Sequence, residues 1–303
     1  MSIFSGVLVL AAFVFIGDKV WSVRYQLLDK MSVGQLVEIV IIAGGGYAVN
    51  NFLLVLAWRN LLGWLGKETV NWNVSLNIYG ITQIAKYLPG NVIQFPGRHV
   101  LGRQAGMKHE VLLGAAALEV IGLLFIASVF SLFILLGGDG DSQFLPPVVV
   151  LSLMIGLGGG VPLLFHLLFS HIPVLQKMNL VGVTLGDTYR GLLGTWLIYL
   201  AFFALAGGIL FRVIYSVNGG WTSVPFLVAL SAYAVSWLAG TVTPGAPGGV
   251  GVREAVLILM LSNFLGEPMS VLVALVSRLV TIFGDIYFYL FVKFFVPRGT
   301  PDA

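Results

Sequence analysis

The chain has 303 residues, of which 58% are hydrophobic and 10% charged, with a formal net charge of +3 and a mean hydropathy of +0.98. A soluble domain is about 45–50% apolar and about 25% charged, and its outer shell has to be polar, so a soluble enzyme, a disordered chain and a nucleic-acid module are excluded. Cysteine is absent, which removes disulfides, thiolate metal sites and cysteine nucleophiles.

A membrane-spanning helix needs about 20 predominantly apolar residues. In chain order the predicted spans are 3–17, 34–58, 111–137, 145–169, 192–217, 223–243 and 269–296. The run at 3–17 lacks a basic leader and an Ala-x-Ala site, so it reads as a retained helix rather than a signal peptide. Two apolar segments, 74–88 and 250–265, are short or interrupted. Long continuous runs exclude a β-barrel, which would show alternating segments of about ten residues. The 38 glycines exceed the average of about 7% and suit close helix contacts and broken helices. The expected fold is therefore an all-α integral membrane protein. It is a polytopic bundle of about seven full spans plus two re-entrant or broken segments, in one domain over 1–303.

Basic residues in short loops mark the cytoplasmic side. Lys86, Arg98, Arg103 and Lys108 place 86–109 there, and Lys177 and Arg190 place 170–190 there. Asp139 and Asp141 face outward, and two further crossings return the chain to the cytoplasmic face near 244. Whether 74–88 and 250–265 cross or dip and return decides the side of each terminus, and both options stand at this point. The expected location is the cytoplasmic (inner) membrane.

The most informative stretches run from Tyr87 to Arg98 and from Thr243 to Glu254. Each opens with Pro-Gly, at Pro89-Gly90 and at Pro244-Gly245, and has a second Pro-Gly within ten residues. Arg98 and Arg253 each stand nine residues after the first proline of their segment. Gly106 and Gly266 then precede long helices that carry Glu119 and Arg278. This pattern reads as an internal duplication of the kind that builds transporters.

Proline breaks a helix, and in hydrocarbon a broken backbone survives only against protein or a wet cavity. A helix that begins after the break aims free N–H groups and a positive dipole end into that cavity, which suits an anion. Arginine adds a fork that matches phosphate. The run Gly248-Gly249-Val250-Gly251-Val252-Arg253-Glu254 has this form but lacks the Gly-Lys-Ser/Thr ending of a nucleotide loop. The alternative reading is a pair of interfacial loops whose arginines snorkel to headgroups.

Ionisable groups within spans are functional candidates by default. Glu119, Arg278 and Asp285 are the strongest here, and the duplication would let Glu119 face Arg278, as a structural pair or as a relay. His166 and Arg212 read as interfacial. His99 and His109 have no ligand constellation around them, so neither a metal nor another cofactor is expected, and no catalytic arrangement is found. The candidate substrate-binding residues are Pro89, Gly90, Gln94, Arg98, Glu119, Pro244, Gly245, Gly248, Gly249, Gly251, Arg253, Glu254, Arg278 and Asp285.

The sequence resembles the lysylphosphatidylglycerol synthase transmembrane family. The resemblance rests on Trp58-Arg59-Asn60-Leu61-Leu62, on Lys86-Tyr87-Leu88-Pro89-Gly90, on Ala105-Gly106 leading to Leu118-Glu119, and on Pro247 to Glu254 leading to Ser277-Arg278-Leu279. It implies a polytopic helical fold with two re-entrant segments and a role in moving a lipid between leaflets. The chain departs from the family in two ways. It carries no soluble aminoacyl-transferring domain, so lysyl transfer is not expected. Its first break lacks the Gly-Glu pair of some members and resembles a branch with Pro-Gly-x-x-x-Gln, often encoded with cell-envelope glycan or lipid-sugar enzymes.

The expected function is that of a lipid flippase or lipid-transport protein, not an enzyme, for a phosphate-headgroup lipid: a phospholipid, a glycolipid or a polyprenyl-phosphate sugar. The alternative is a scaffold or accessory subunit. Expected partners are membrane lipids, a cell-envelope glycosyltransferase or lipid-modifying enzyme, and a second copy of the chain, with no nucleic acid.

Overall fold

The computed structural model describes residues 32–87, 94–135, 185–243 and 246–297. Eight α-helices occur among them: α1 (Val33–Gly66), α2 (Trp72–Gln83), α3 (Gln94–Gln104), α4 (His109–Ser131), α5 (Leu185–Val217), α6 (Phe226–Val242), α7 (Val252–Leu265) and α8 (Glu267–Phe295). Short 3₁₀ turns follow α2 at Ile84–Tyr87 and precede α7 at Pro247–Gly249. The described residues form no strand.

Four stretches are long and apolar enough to cross a bilayer: Val33–Gly66, His109–Ser131, Arg190–Val217 and Glu267–Phe295. The protein is a multi-pass helical membrane protein. The count of seven is not reproduced among the described residues, and the expected spans at 3–17 and 145–169 lie outside them. The expected span at 223–243 is corrected. Its helix α6 has 17 residues, about 25 Å of rise, and forms one arm of a hairpin. Ser223, just before α6, donates to the carbonyl of Phe264 near the end of α7, so the chain enters and leaves on one face.

The first break forms a second hairpin. Arg98 of α3 reaches back to Thr82 of α2, and a Cβ at Gly97 would fall 3.2 Å from Thr82. Helix α2 has 12 residues, about 18 Å of rise against a core of about 30 Å. Both ambiguous segments therefore dip and return.

The long helix α8 gives the depth of each tip. Asn77 of α2 donates to the carbonyl of Pro297, and Gly80 packs on Val292, so the first hairpin enters beside the end of α8. The second enters beside its start. The first tip reaches Asp285 through Lys86 and Tyr87. The second reaches Arg278 through Gly248. These two residues lie about 15 Å from the end and about 16 Å from the start of α8. The tips meet at mid-depth, where Gly248 packs against the Tyr87 ring.

The order long helix, hairpin, long helix thus occurs twice, as α1–α4 and α5–α8, in opposite senses across the membrane. Each hairpin also reaches across the halves: α2 packs on α8 and α6 on α4, while α3 packs on α4, α6 on α5 and α7 on α8 within their own halves. Gly106 and Gly266 adopt φ of +83° and +74° at matching joints into α4 and α8, a conformation that favours glycine. The sequence duplication is therefore matched by topology, in the inverted form found in secondary transporters.

Candidate functional site

Both hairpins and the long helices beside them line a partly open cavity of about 280 Å³. Its wall includes Tyr47, Tyr79, Lys86, Gln94, Arg98, Glu119, Trp237, Gly248 and Arg253, from both hairpins and from α1, α4 and α6. Arg98 and Arg253, 155 positions apart by their numbers, therefore face one space. Three carboxylates and four cations are gathered around it.

Glu119 stands about 15 Å along α4 and is 2% exposed. Nη1 of Arg98 lies 2.6 Å from each of its oxygens, and the Tyr79 hydroxyl donates to Oε1 at 2.8 Å. Arg98 also donates to Gln83 and Thr82 and lies 3.6 Å above the Tyr79 ring. Asp285 is 1% exposed and accepts from Lys86 at 2.7 Å, from Tyr87 and from Asn51. Glu254 is 4% exposed. Its Oε2 accepts the Gly251 N–H at 2.6 Å, and its Oε1 lies 3.1 Å from Nε of Arg278. Arg278 donates through Nη1 to the carbonyl of Gly248.

These contacts correct four expectations. Glu119 pairs with Arg98 and not with Arg278, because α3 of its own half carries Arg98 to it, as α7 brings Glu254 to Arg278 in the other half. Lys86 and Arg98 are not loop charges at a membrane face; both are paired inside the protein. Arg98 is not a free phosphate ligand, since Glu119 already neutralises it. Finally, the N-terminus of α7 is not fully open to a ligand, because Glu254 caps the Gly251 N–H of its own helix.

Arg253 differs from the other three cations. It pairs with no carboxylate among the described residues, and its buried Nε makes no hydrogen bond. Its side chain passes between two glycines: a Cβ at Gly240 or Gly249 would fall 2.8 or 2.6 Å from Nε. Its guanidinium faces the Trp237 ring at 5.8 Å. Among the described residues four cations thus face three carboxylates, and the excess positive charge sits on Arg253. Gly248, Gly249 and Gly251 all have positive φ, between 58° and 87°, which gives the turn the tightness that passage requires.

Of the predicted residues, Gln94, Arg98, Glu119, Gly248 and Arg253 line the cavity, and Arg253, Glu254 and Arg278 line a smaller neighbouring space of about 30 Å³. Asp285 holds Lys86, a wall residue. Pro89, Gly90, Pro244 and Gly245 lie outside the described residues, as does His166. Arg212 sits near the end of α5, beside Glu38 on the surface. Sequence reasoning missed Lys86 and Tyr87 as partners of Asp285, although they directly precede the first break. It also missed Asn51, whose place beside Asn50 in an apolar span was a readable signal. Tyr79 and Trp237 carry no such signal. Among the described residues no group of three or more His, Asp or Glu could hold a metal ion.

A cavity lined by charged side chains where two opposed hairpins meet defines the class: a multi-pass membrane protein with a polar site at mid-depth. The family model described as lysylphosphatidylglycerol synthase TM region matches residues 2–287, and the chain belongs to that family. It is a membrane-embedded, lipid-related protein. A search of curated proteins found no match.

Proposed function

We propose that the protein binds a phosphate-headgroup lipid at Arg253 and carries its headgroup between leaflets, as a flippase of cell-envelope biogenesis in the cytoplasmic membrane. The observation that supports this reading is the uncompensated charge of Arg253 on the wall of the cavity. Only Nε of Arg253 is buried, and its half-buried guanidinium end opens on the cavity, where an anion can reach it. The guanidinium fork suits a phosphate. At about 280 Å³ the space lies just under the usual range of about 300–1,000 Å³ for small-molecule pockets. It takes a headgroup and leaves the acyl or prenyl tails in the bilayer. Family membership supports a lipid as the ligand, and the opposed hairpins supply two halves that can open in turn.

The test is transfer of a fluorescent phospholipid across proteoliposome membranes, read by chemical quenching of the outer leaflet. Arg253→Ala is expected to slow transfer about 10- to 100-fold, the equivalent of losing charge-assisted hydrogen bonds worth about 1.5–3 kcal/mol. Arg253→Lys is expected to fall between, because it keeps the charge and loses the fork. Equal transfer by wild type and a folded Arg253→Ala would overturn the assignment. A chain that transfers no lipid while binding a glycosyltransferase would favour the scaffold reading.

A further inference from the structure

We infer that Lys86 is a second ligand for the headgroup phosphate, one that leaves Asp285 for the anion when a phosphodiester lipid enters the cavity. The inference rests on the phosphate-lipid reading of Arg253 and adds to it a cation from the other hairpin. It comes from comparing the four cations of the core. Arg98 has Nη1 on both oxygens of Glu119 and further hydrogen bonds to Gln83 and Thr82, and its side chain is 4% exposed. Arg278 pairs with Glu254, donates to the Gly248 carbonyl and lines the smaller space rather than the larger cavity. Arg253 has no carboxylate partner among the described residues. Lys86 stands between these cases. It pairs with Oδ2 of Asp285 at 2.7 Å, its side chain is 16% exposed, and it lines the larger cavity together with Arg253.

Asp285 can spare this partner. Its Oδ1 accepts from Asn51 at 3.1 Å, and the Tyr87 hydroxyl donates to Oδ2. Both donors stay when Lys86 turns away, so the buried carboxylate keeps a hydrogen bond on each oxygen, as a buried polar group must. Glu119 is in the opposite position: without Arg98 it would keep only Tyr79, on one oxygen. The type of cation matters as well. Lysine carries a compact charge on a flexible stem, with three rotatable donors, and changes partner without having to match a rigid fork.

The contact between the tips brings the two ligands together. Tyr87, the residue after Lys86, packs its ring against Gly248, and the next residue, Gly249, lies against Nε of Arg253. The charges of Arg253 and Arg278 repel that of Lys86. An anion between Lys86 and Arg253 replaces repulsion with two attractions. Lys86, Arg253 and Asp285 carry one net positive charge, which a phosphodiester, with its one negative charge, neutralises. Lys86 comes from the first hairpin and Arg253 from the second, so a phosphate held by both lies where the two halves of the site meet.

The competing explanation is that Lys86 and Asp285 only fasten the first tip to α8. The two differ in sign. A fastening is damaged alike by removing either partner. A ligand that must leave Asp285 to reach the phosphate is lost with Lys86, but is set free when the carboxylate is removed.

Titration calorimetry of the full chain in a phosphate-free detergent tests this, with dihexanoyl phosphatidylglycerol and its deacylated headgroup, glycerophosphoglycerol, as probes. Melting midpoints without a probe report stability separately. Lys86→Gln is expected to weaken binding about 10-fold or more, the loss of a charge-assisted contact. Asp285→Asn is expected to bind as tightly as wild type or more tightly, although both substitutions lower the melting midpoint. The double variant, which leaves neither charge unpaired, should bind as weakly as Lys86→Gln. Equal losses in the two single variants overturn the inference, as does wild-type affinity in Lys86→Gln or in the double variant. The double variant keeps the test decisive if a single one fails to fold. Binding that is lost in Arg253→Ala but kept in Lys86→Gln removes Lys86 and leaves the lipid site standing. A headgroup that binds with this dependence on Lys86, while the lipid does not bind, keeps the phosphate site and removes the lipid reading. No binding of either probe by the wild type overturns both.

Discussion

Two arginines that look alike in sequence part ways through their neighbours. Arg98 meets Glu119, Gln83, Thr82 and the Tyr79 face, while Arg253 meets two glycines and a Trp237 ring. The first is a structural pin and the second an available charge. The residue after Arg98 shows the same dependence. Nε2 of His99 and Nδ1 of His109 lie 2.8 Å apart, an arrangement that needs one ring to donate and the other to accept. Loss of hydration, then the nearby His109 and Arg103, hold the His99 pKa below its ordinary value. The native state therefore prefers the neutral ring. Its contribution to stability is complete above the unfolded value of about 6.5 and is lost as pH falls through that value towards the lower native one. Lys108 and Glu110, on either side of His109, do not change that sign. His99→Gln, which does not titrate, is expected to flatten the fall in melting temperature between about pH 7 and pH 5. An unchanged slope would show that another group sets it.

The elements depend on small residues where backbones cross. In lipid there is no hydrophobic drive between helices, so close packing takes over. The closest approach to backbone is between α1 and α8: a Cβ at Gly284 would lie 2.8 Å from the Gly44 carbonyl oxygen and also from Tyr47 Cβ. Backbone cannot yield as a side chain can, so Gly284→Val is expected to destabilise by about 1–3 kcal/mol. It also displaces Asp285, the next residue, from Lys86 and Tyr87. Thermal unfolding in detergent should show the loss, while Gly208→Val, which meets nothing within 4 Å, should match wild type. Equal midpoints for the two variants would refute the packing argument. The sequence contained much of this. Apolar runs located the long helices, and the two Pro-Gly breaks located both tips. Arg98, Arg253, Glu119 and Arg278 were legible because charge is rare in an apolar chain. The pairings were not. Lys86 with Asp285 joins the two halves, a long-range contact that no local spacing encodes, and the pairs inside each half, Arg98 with Glu119 and Glu254 with Arg278, depend on how each hairpin folds back on its long helix. The return of α7 to the level where α6 begins leaves the turn near 246 at mid-depth instead of at a face. Apolar content alone could not separate a 17-residue hairpin arm from a span.

At the scale of the whole molecule, removing Lys86 and Arg98 from the loop count does not weaken the sidedness argument; it makes the asymmetry clearer. The face where α1 ends carries Arg59, Lys67, Arg103, Lys108, Arg190 and Lys293. Gly191 packs on Trp64 there, Gly66 on Val111, and Asn77 meets Pro297. The opposite face, where α1 and α8 begin, carries Arg212 as its basic residue among those described. Glu68 and Glu110 on the first face do little to offset this, since acidic residues contribute little to topology. The rule therefore places the turn at 105–108 in the cytoplasm and the turn at 218–222 outside. The first hairpin then dips from the cytoplasm and the second from the outside, so that each leaflet has its own half of the site. The natural absence of cysteine makes this simple to measure. Met107→Cys should be protected from a membrane-impermeant maleimide in intact cells and react once the membrane is opened. Asn218→Cys should react in intact cells. Labelling of both from the same side would rule out opposed hairpins and, with them, a mechanism in which the two halves open in turn.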